Sequence, residues 1–122
     1  MALYKNAFGQ GYQFEIDAVV FSQVVDGPDQ VVELDADDDV FDAVQRVQPD
    51  VLLLDVHLQK INGLDVLDQV RANAETRDVP VVMASGLNLE EECLRRGAND
   101  FLLKPYMPDD LLKLLSKNLK GT

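Results

Sequence analysis

The fold prediction begins from residues 49–64, Pro49-Asp50-Val51-Leu52-Leu53-Leu54-Asp55-Val56-His57-Leu58-Gln59-Lys60-Ile61-Asn62-Gly63-Leu64. Four consecutive apolar residues, 51–54, lead directly into one carboxylate, and a short apolar run of this kind is typical of a strand buried on both faces. In an open parallel sheet, ligands bind at the carboxyl ends of the strands. Asp55 is therefore a candidate functional residue, and capping or turning of the chain is the alternative explanation.

The composition indicates one acidic globular domain over residues 1–122. Apolar residues make up 47% of the chain, enough to form a single core. A formal net charge of −11 would repel nucleic acid and anionic membranes, so we expect neither as a partner. There is no apolar run long enough to span a bilayer and no signal-peptide pattern, so we expect a cytoplasmic location. A single cysteine, Cys93, excludes an internal disulfide.

Apolar runs alternate with helical patterns along the chain. Residues 2–8 predict a weak first strand, and residues 12–25 predict a buried helix, with a strand as the alternative because of their β-branched content. Further strands are predicted at 31–34, 79–84 and 100–104. Together with the strand that ends at Asp55, this alternation predicts a doubly wound parallel sheet of five strands.

The predicted helices carry start and stop signals. Four aspartates, at positions 35 and 37–39, precede a helix that begins near Val40, and we interpret them as capping acids, with a calcium loop as the alternative. Asn62 is predicted to cap a helix that ends near Ala72. A further helix is predicted to begin at Asn88 or Ser85 and to end at Gly97. Residues 109–119 predict the closing helix.

Three polar residues share one position in the predicted sheet, because Asp55, Ser85 and Lys104 each follow or end a buried strand. If these strands are neighbours, the three side chains converge on one crevice. A carboxylate nucleophile, a hydroxyl and an ammonium group together suit phosphoryl transfer, and Gly86 would let a backbone N–H approach the phosphoryl group. The alternative is a buried Asp–Lys ion pair with an incidental serine.

Three segments of the chain resemble the receiver domains of two-component response regulators. They are residues 49–55 with Asn62-Gly63-Leu64, residues 81–86 and residues 97–106, and the resemblance extends over about residues 30–119. It implies a flavodoxin-like (βα)5 fold of the chemotaxis-regulator type, in which a five-stranded parallel sheet lies between two helical layers.

The resemblance also implies a function and a role for each site residue. Asp55 would accept a phosphoryl group from a histidine kinase or phosphotransfer protein. Ser85 matches the switch hydroxyl, Lys104 the lysine that balances the phosphoryl charge, and Phe101 the switch aromatic. The peptide bond between Lys104 and Pro105 is expected to be cis.

One part of the receiver pattern is missing. An acidic pair after the first strand would hold Mg²⁺, but the corresponding positions are Gly9, Gln10 and Gly11, or Asn6 in a shifted alignment. Of the expected ligands only Asp55 and the backbone carbonyl of His57 remain, so we predict weak Mg²⁺ binding. The segment between Ser85 and Lys104 is also about three residues short, nearly one helical turn, which predicts a short helix there.

These observations support two main functions. The first is a phosphoacceptor domain that switches a protein-interaction face, formed by the last two helices and the strand between them, toward an output protein or a second copy of the chain. The second is an atypical receiver-like module that binds its partner without phosphorylation. A phosphatase or phosphotransferase ranks last, because His57 stands where such enzymes commonly place a second carboxylate, so we expect no enzyme activity beyond self-phosphorylation and dephosphorylation of Asp55. The sequence leaves open whether the chain acts alone or was excised from a longer protein.

Overall fold

The computed structural model describes residues 2–5, 11–14, 18–22, 30–34, 39–57 and 61–119. Seven strands and four helices lie within these residues, and the strands form a two-stranded and a five-stranded sheet. In chain order the elements are β1 (Ala2–Lys5), β2 (Gly11–Phe14), β3 (Ala18–Ser22), β4 (Gln30–Leu34), α1 (Val40–Val47), β5 (Val51–Asp55), α2 (Gly63–Ala72), β6 (Val81–Ser85), α3 (Glu90–Arg95), β7 (Asp100–Leu103) and α4 (Pro108–Leu119).

The five-stranded sheet has the order β4-β3-β5-β6-β7. Its last three strands are parallel, with Leu52 opposite Val81 and Val82 opposite Asp100. Parallel neighbours require crossover connections, which α2 and α3 supply. The strands predicted at 51–54, 79–84 and 100–104 are thereby confirmed, and so is the predicted alternation of strands and helices in this part of the chain.

β3 corrects the predicted sheet, because it runs antiparallel to both of its neighbours. Ala18 lies opposite Leu54, and Phe21 lies opposite Val51. The sheet is therefore mixed and not fully parallel. The helix predicted over residues 12–25 is also wrong for the described residues of that range, which lie in β2 and β3. β-branched and aromatic residues dominate 18–21, and such residues pack better on a pleated strand than on a helix.

The predicted first strand, observed as β1, differs from the prediction in its pairing partner. The strand forms, but it pairs with β2 in the separate two-stranded sheet, with Tyr4 opposite Tyr12. An antiparallel partner this close in sequence needs only a short connection, whereas a place beside β5 would need a crossover. The strand next to β5 is supplied by β3 instead.

The core confirms the predicted three layers. Leu52 and Leu54 share a buried cluster with Val44 of α1 and Leu67 of α2. Alternate residues of a strand point to opposite faces of the sheet. The intervening Leu53 therefore faces the other side, where α4 contacts β5 and β7 and buries Leu111.

The described helix ends follow the predicted signals except at the start of α3, which was predicted at Asn88 or Ser85. That helix begins at Glu90 after Leu89, whose side chain makes no capping hydrogen bond. The Asp39 side chain caps α1 by accepting a hydrogen bond from the Asp42 amide at 3.0 Å, and the other three aspartates before α1 lie outside the described residues. Asn62 caps α2 by accepting from the Leu64 amide at 2.8 Å. α3 has only 6 residues, as its shortened segment predicted, and Gly97 follows it with a φ of 108°. No helix among the described residues is long and apolar enough to cross a membrane.

Arg71, in the last turn of α2, ties together the segments that lead into β6 and β7. Its guanidinium donates to the carbonyls of Gly97 at 2.8 Å, Val79 at 2.7 Å and Arg77 at 3.0 Å, and to the Asn99 side chain at 2.9 Å. Burial lowers the pKa of Arg71 from its ordinary value. These bonds hold the amino edge of the parallel strands together.

Candidate functional site

Asp55 is the last residue of β5 and is buried. It lies opposite Ala84 of β6, and the following amide, that of Val56, donates to the Ala84 carbonyl at 2.9 Å. The apolar residues 51–54 form a central strand, and its pairing with β6 continues as far as Asp55, after which the loop begins. The carboxylate is therefore placed at the carboxyl edge of the sheet by a strand whose five residues are all buried.

Both oxygens of the Asp55 carboxylate are engaged by described residues. Oδ2 pairs with the Lys104 ammonium group, and Oδ1 accepts a hydrogen bond from the His57 amide at 2.8 Å. The Asp55 side chain is 9% exposed and that of Lys104 is 35% exposed. A carboxylate held by one ammonium and one main-chain donor has a fixed orientation.

Lys104 reaches the site from the end of β7. Its amide donates to the Ser85 carbonyl at 2.8 Å, which fixes its main chain beside β6. The Lys104-Pro105 peptide bond is cis, as the resemblance implied. The predicted meeting of the acid and the amine is confirmed by this arrangement.

Ser85 and Gly86 lie at the same edge, at the end of β6. The Ser85 hydroxyl is buried and accepts a hydrogen bond from the Leu87 amide at 3.1 Å, and among the described residues it makes no hydrogen bond to Asp55 or Lys104. A hydroxyl that accepts can still donate its own proton. No atom lies within 4 Å of a Cβ added at Gly86, so local packing does not require glycine there.

Phe101, the predicted switch aromatic, lies on β7 opposite Met83. It is half-buried and packs against the main core cluster. The side chain thus lies against the core, on the strand that leads to Lys104. Its proposed role in switching stays a prediction.

Two residues at this edge were not assigned a role from the sequence. Gly63, at the start of α2, lies directly against the main chain of Asp55. Tyr106 lies two residues beyond Lys104, and burial together with the negative charge of Asp55 raises its pKa to about 12. Its phenol therefore keeps its proton at neutral pH. In the sequence, Tyr106 could have been noticed only by its position two residues after Lys104. Gly63 could have been noticed only because it follows the predicted helix cap Asn62.

Few of the Mg²⁺ ligands that the receiver pattern would supply lie among the described residues. Mg²⁺ prefers oxygen ligands in octahedral geometry, commonly one or two carboxylates with waters and substrate oxygens. No group of three or more His, Cys, Asp or Glu side chains that could hold a metal lies in the part of the chain that the structure describes. Asp55 is the one carboxylate that we assign to the site, and its two oxygens already contact Lys104 and His57. The positions expected for the acidic pair carry no carboxylate, because they are Gly9, Gln10 and Gly11, or Asn6 in the shifted alignment. Of these only Gly11, which begins β2, lies among the described residues.

The opposite edge of the sheet holds a cavity of about 460 Å³. It lies where β5 and β6 begin, and Pro49, Val79 and Pro80 are among the residues that line it. Three carboxylates, those of Asp50, Glu75 and Asp78, stand around it. None of the predicted site residues lines this cavity, so it is separate from the carboxyl edge.

Comparison with known families gives the site its context. The model of the response regulator receiver domain matches residues 18–116, most of the chain. The chain belongs to the response regulator receiver domain family. Receiver domains are signalling modules of two-component systems that interact with histidine kinases and output domains, and they are generally not enzymes.

Individual relatives agree with this assignment. The chain is 38% identical over 80 residues to the nitrate/nitrite response regulator protein NarL of Escherichia coli, which covers 63% of this chain and 36% of NarL. The receiver domain of NtrX from Brucella abortus superposes with a TM-score of 0.59 at 30% identity, covering 66% of this chain and 70% of that domain. These neighbours show the flavodoxin-like fold of chemotaxis-regulator type. The chain spans about a third of the length of NarL and about half of the length of shorter curated relatives.

A third comparison concerns the metal. The receiver domain of the sensor histidine kinase PA1611 from Pseudomonas aeruginosa has a magnesium ion coordinated in its active-site cleft. It is 27% identical to this chain, with a TM-score of 0.59 and coverage of 66% of this chain and 69% of that one. Receiver domains typically bind Mg²⁺ in their active site, and Asp55 is the carboxylate of the described residues that we assign to that place in this chain.

Proposed function

We propose that Asp55 accepts a phosphoryl group from a histidine kinase or phosphotransfer protein. The observation that carries the proposal is the buried Asp55 carboxylate at the end of β5, held between the Lys104 ammonium and the His57 amide. A buried carboxylate at the carboxyl edge of parallel strands, with a cation beside it, is suited to nucleophilic attack on a phosphoryl group.

The proposed reaction uses the carboxylate as nucleophile. One oxygen of Asp55 forms a bond to phosphorus while the bond from phosphorus to the donor's imidazole nitrogen breaks, and that nitrogen keeps the electron pair. The product is an acyl phosphate. Lys104, which already contacts Asp55, would balance the added negative charge. Ser85 would donate its hydroxyl proton to a phosphoryl oxygen, and Gly86 would present its backbone N–H.

The proposed output of the switch is the face formed by α3, β7 and α4. Exposed apolar side chains on and beside this face, those of Leu94, Leu103 and Met107, support a role in binding a protein. Phe101 on β7 would change its packing when Asp55 is phosphorylated. We propose that an output protein or a second copy of the chain binds there.

Intact-mass measurement tests phosphorylation directly. The chain is incubated with acetyl phosphate or phosphoramidate and Mg²⁺, and we expect the mass to rise by one phosphoryl group. Asp55→Asn should abolish the gain, whereas Asp109→Asn, at an exposed carboxylate of α4, should leave it intact. A gain that persists in Asp55→Asn would place the acceptor elsewhere and contradict the proposal.

A second candidate function is a receiver-like module that binds its partner without phosphorylation. It is favoured by the lack of a metal-binding group of side chains among the described residues, because Mg²⁺ neutralises the oxygens of the incoming phosphoryl group. No mass gain at millimolar Mg²⁺, together with partner binding or self-association that survives in Asp55→Asn, would support this function over the first.

A further inference from the structure

Gly63 makes an unusually close contact with the main chain of Asp55. A Cβ added at Gly63 would lie 2.2 Å from the Asp55 carbonyl oxygen and 3.0 Å from its carbonyl carbon. Atoms do not approach this closely without repulsion, and main-chain atoms cannot rotate out of the way as a side chain can. The first turn of α2 can therefore rest on Asp55 only if residue 63 has no side chain.

Hydrogen bonds hold this contact in place from both sides. The Gly63 amide donates to the Val56 carbonyl at 2.7 Å, and the Val56 amide donates to Ala84 of β6 at 2.9 Å. His57 and Asn62 pair in an isolated antiparallel β-bridge. The main chain that follows Asp55 is thus fixed between β6 and the start of α2.

The Asp55 carboxylate depends on that main chain. Its Oδ1 accepts from the amide of His57, two residues further on, so the acceptor and its donor belong to the same short segment. A change in the main-chain path of residues 55–57 alters the position of the carboxylate relative to this amide, and a displacement of the whole segment alters its position relative to Lys104. Orientation of a nucleophile within such limits has a large effect on rate.

We infer that Gly63 is a positioning residue for the phosphoacceptor. By allowing α2 to rest on the Asp55 main chain, it fixes the carboxylate between the His57 amide and the Lys104 ammonium. The effect on rate rests on the proposed phosphorylation of Asp55, but the effect on geometry does not.

The first test compares rates of phosphorylation by acetyl phosphate in the full chain with Mg²⁺. Gly63→Ala should slow the mass gain by about 100-fold, because a displacement of about 1 Å at a reacting group costs roughly that much. Val70→Ala is the matched control, since it removes buried apolar atoms near the other end of the same helix. An equal loss of rate in both variants, measured where both are folded, would show that stability is responsible and would overturn the inference.

The second test measures geometry without phosphorylation. Hydrogen exchange followed by NMR reports the bond from the His57 amide to Asp55, and we expect exchange at His57 to become about tenfold faster in Gly63→Ala than in Val70→Ala. Unchanged exchange in Gly63→Ala would overturn the inference even if the rate falls. If the wild-type chain takes up no phosphoryl group, the proposed function fails while the exchange measurement still decides the positioning role.

If Gly63→Ala does not fold, two variants of Asn62 test the positioning role instead. Asn62→Ala removes the cap on the Leu64 amide and loosens the first turn of α2 without adding an atom near Asp55. Loss of a cap should speed exchange at His57 by about fivefold, and Asn62→Ser should restore it because serine is also a good cap. Failure of the serine variant to restore protection would contradict the positioning role.

Discussion

β7 carries a lysine–aspartate pair near each of its ends, and the two pairs differ in character. At the carboxyl edge, Lys104 pairs with Asp55, and their side chains are 35% and 9% exposed. At the amino edge, Lys117 of α4 pairs with Asp100 at 3.0 Å, and their side chains are 66% and 15% exposed. The same two residue types thus form an enclosed pair at one edge and a pair with an open lysine at the other.

The partners of the second carboxylate oxygen show what each pair does. Asp100 accepts from the Asn118 side chain at 3.0 Å, so both of its partners belong to one helix and the pair attaches α4 to the sheet. Asp55 accepts instead from the main chain of its own loop and from a lysine at the end of another strand. An enclosed charge is costly to keep unless it is paired, so removing a partner matters most at the carboxyl edge.

The largest expected effect comes from removing the ammonium group at the carboxyl edge. Lys104→Met should slow phosphorylation by acetyl phosphate by about 100-fold, because the charge that stabilises the transferring group is lost. Lys117→Met, the matched change at the amino edge, should leave the rate unaltered. Initial rates of mass gain measure both, and equal losses would abolish the distinction between the two pairs.

At the amino edge we expect a substitution that lowers the free energy of unfolding but leaves the phosphorylation rate unchanged. Arg71→Met removes the donor to three carbonyls and to Asn99, so the free energy of unfolding should fall by about 2–3 kcal/mol. Urea unfolding measures the change. Arg46→Met, at an exposed pair with Asp42, should cost less than about 0.5 kcal/mol. The phosphorylation rate of the folded Arg71→Met protein should stay near wild type, and a rate loss like that of Lys104→Met would contradict this division.

At the carboxyl edge, we expect alkaline pH to lower the free energy of unfolding by a smaller amount, through Tyr106. The pKa of Tyr106 is raised from 10.0 to about 12 in the folded chain. Between pH 10 and 12 the unfolded chain therefore releases the phenol proton while the folded chain keeps it. The contribution of Tyr106 to stability is fully present below pH 10 and is lost as the pH rises through this range. The free energy of unfolding should therefore fall more steeply in this range for wild type than for Tyr106→Phe. Absorbance at alkaline pH gives the phenol titration, and Asp55→Asn should lower the Tyr106 midpoint because burial then acts alone.

A small effect on the free energy of unfolding is expected from Lys117→Met. The lysine is largely exposed, so the free energy of unfolding should change by no more than about 1 kcal/mol, and high salt should reduce the difference. Chemical denaturation at low and high salt measures it. A large, salt-insensitive loss would mean that the amino-edge pair behaves like the enclosed one.

The sequence predicted the parallel strands and the meeting of Asp55 with Lys104 for a simple physical reason. Apolar runs at 51–54 and 81–84 identify central strands, and parallel strands bring their carboxyl ends to one edge regardless of the length of the crossovers. Helix caps such as Asn62 depend on local chemistry and could also be read directly.

Other features depend on information that the pattern does not contain. An apolar strand looks the same in either direction, so the residues of β3 gave no sign that it runs antiparallel to β5. The role of Gly63 depends on how closely α2 approaches Asp55, which is a property of the entry angle of the helix and not of residue spacing. The raised pKa of Tyr106 likewise follows from burial beside Asp55, which only coordinates reveal.

The antiparallel pairing of β3 with β4 has a consequence for folding kinetics. Residues 23–29 alone connect these strands, so their ladder closes across a short loop at low entropic cost. The bond between residues 55 and 104 spans 49 positions and requires both crossovers to have formed. We therefore expect the contact between Asp55 and Lys104 to form later in folding than the hairpin of β3 and β4.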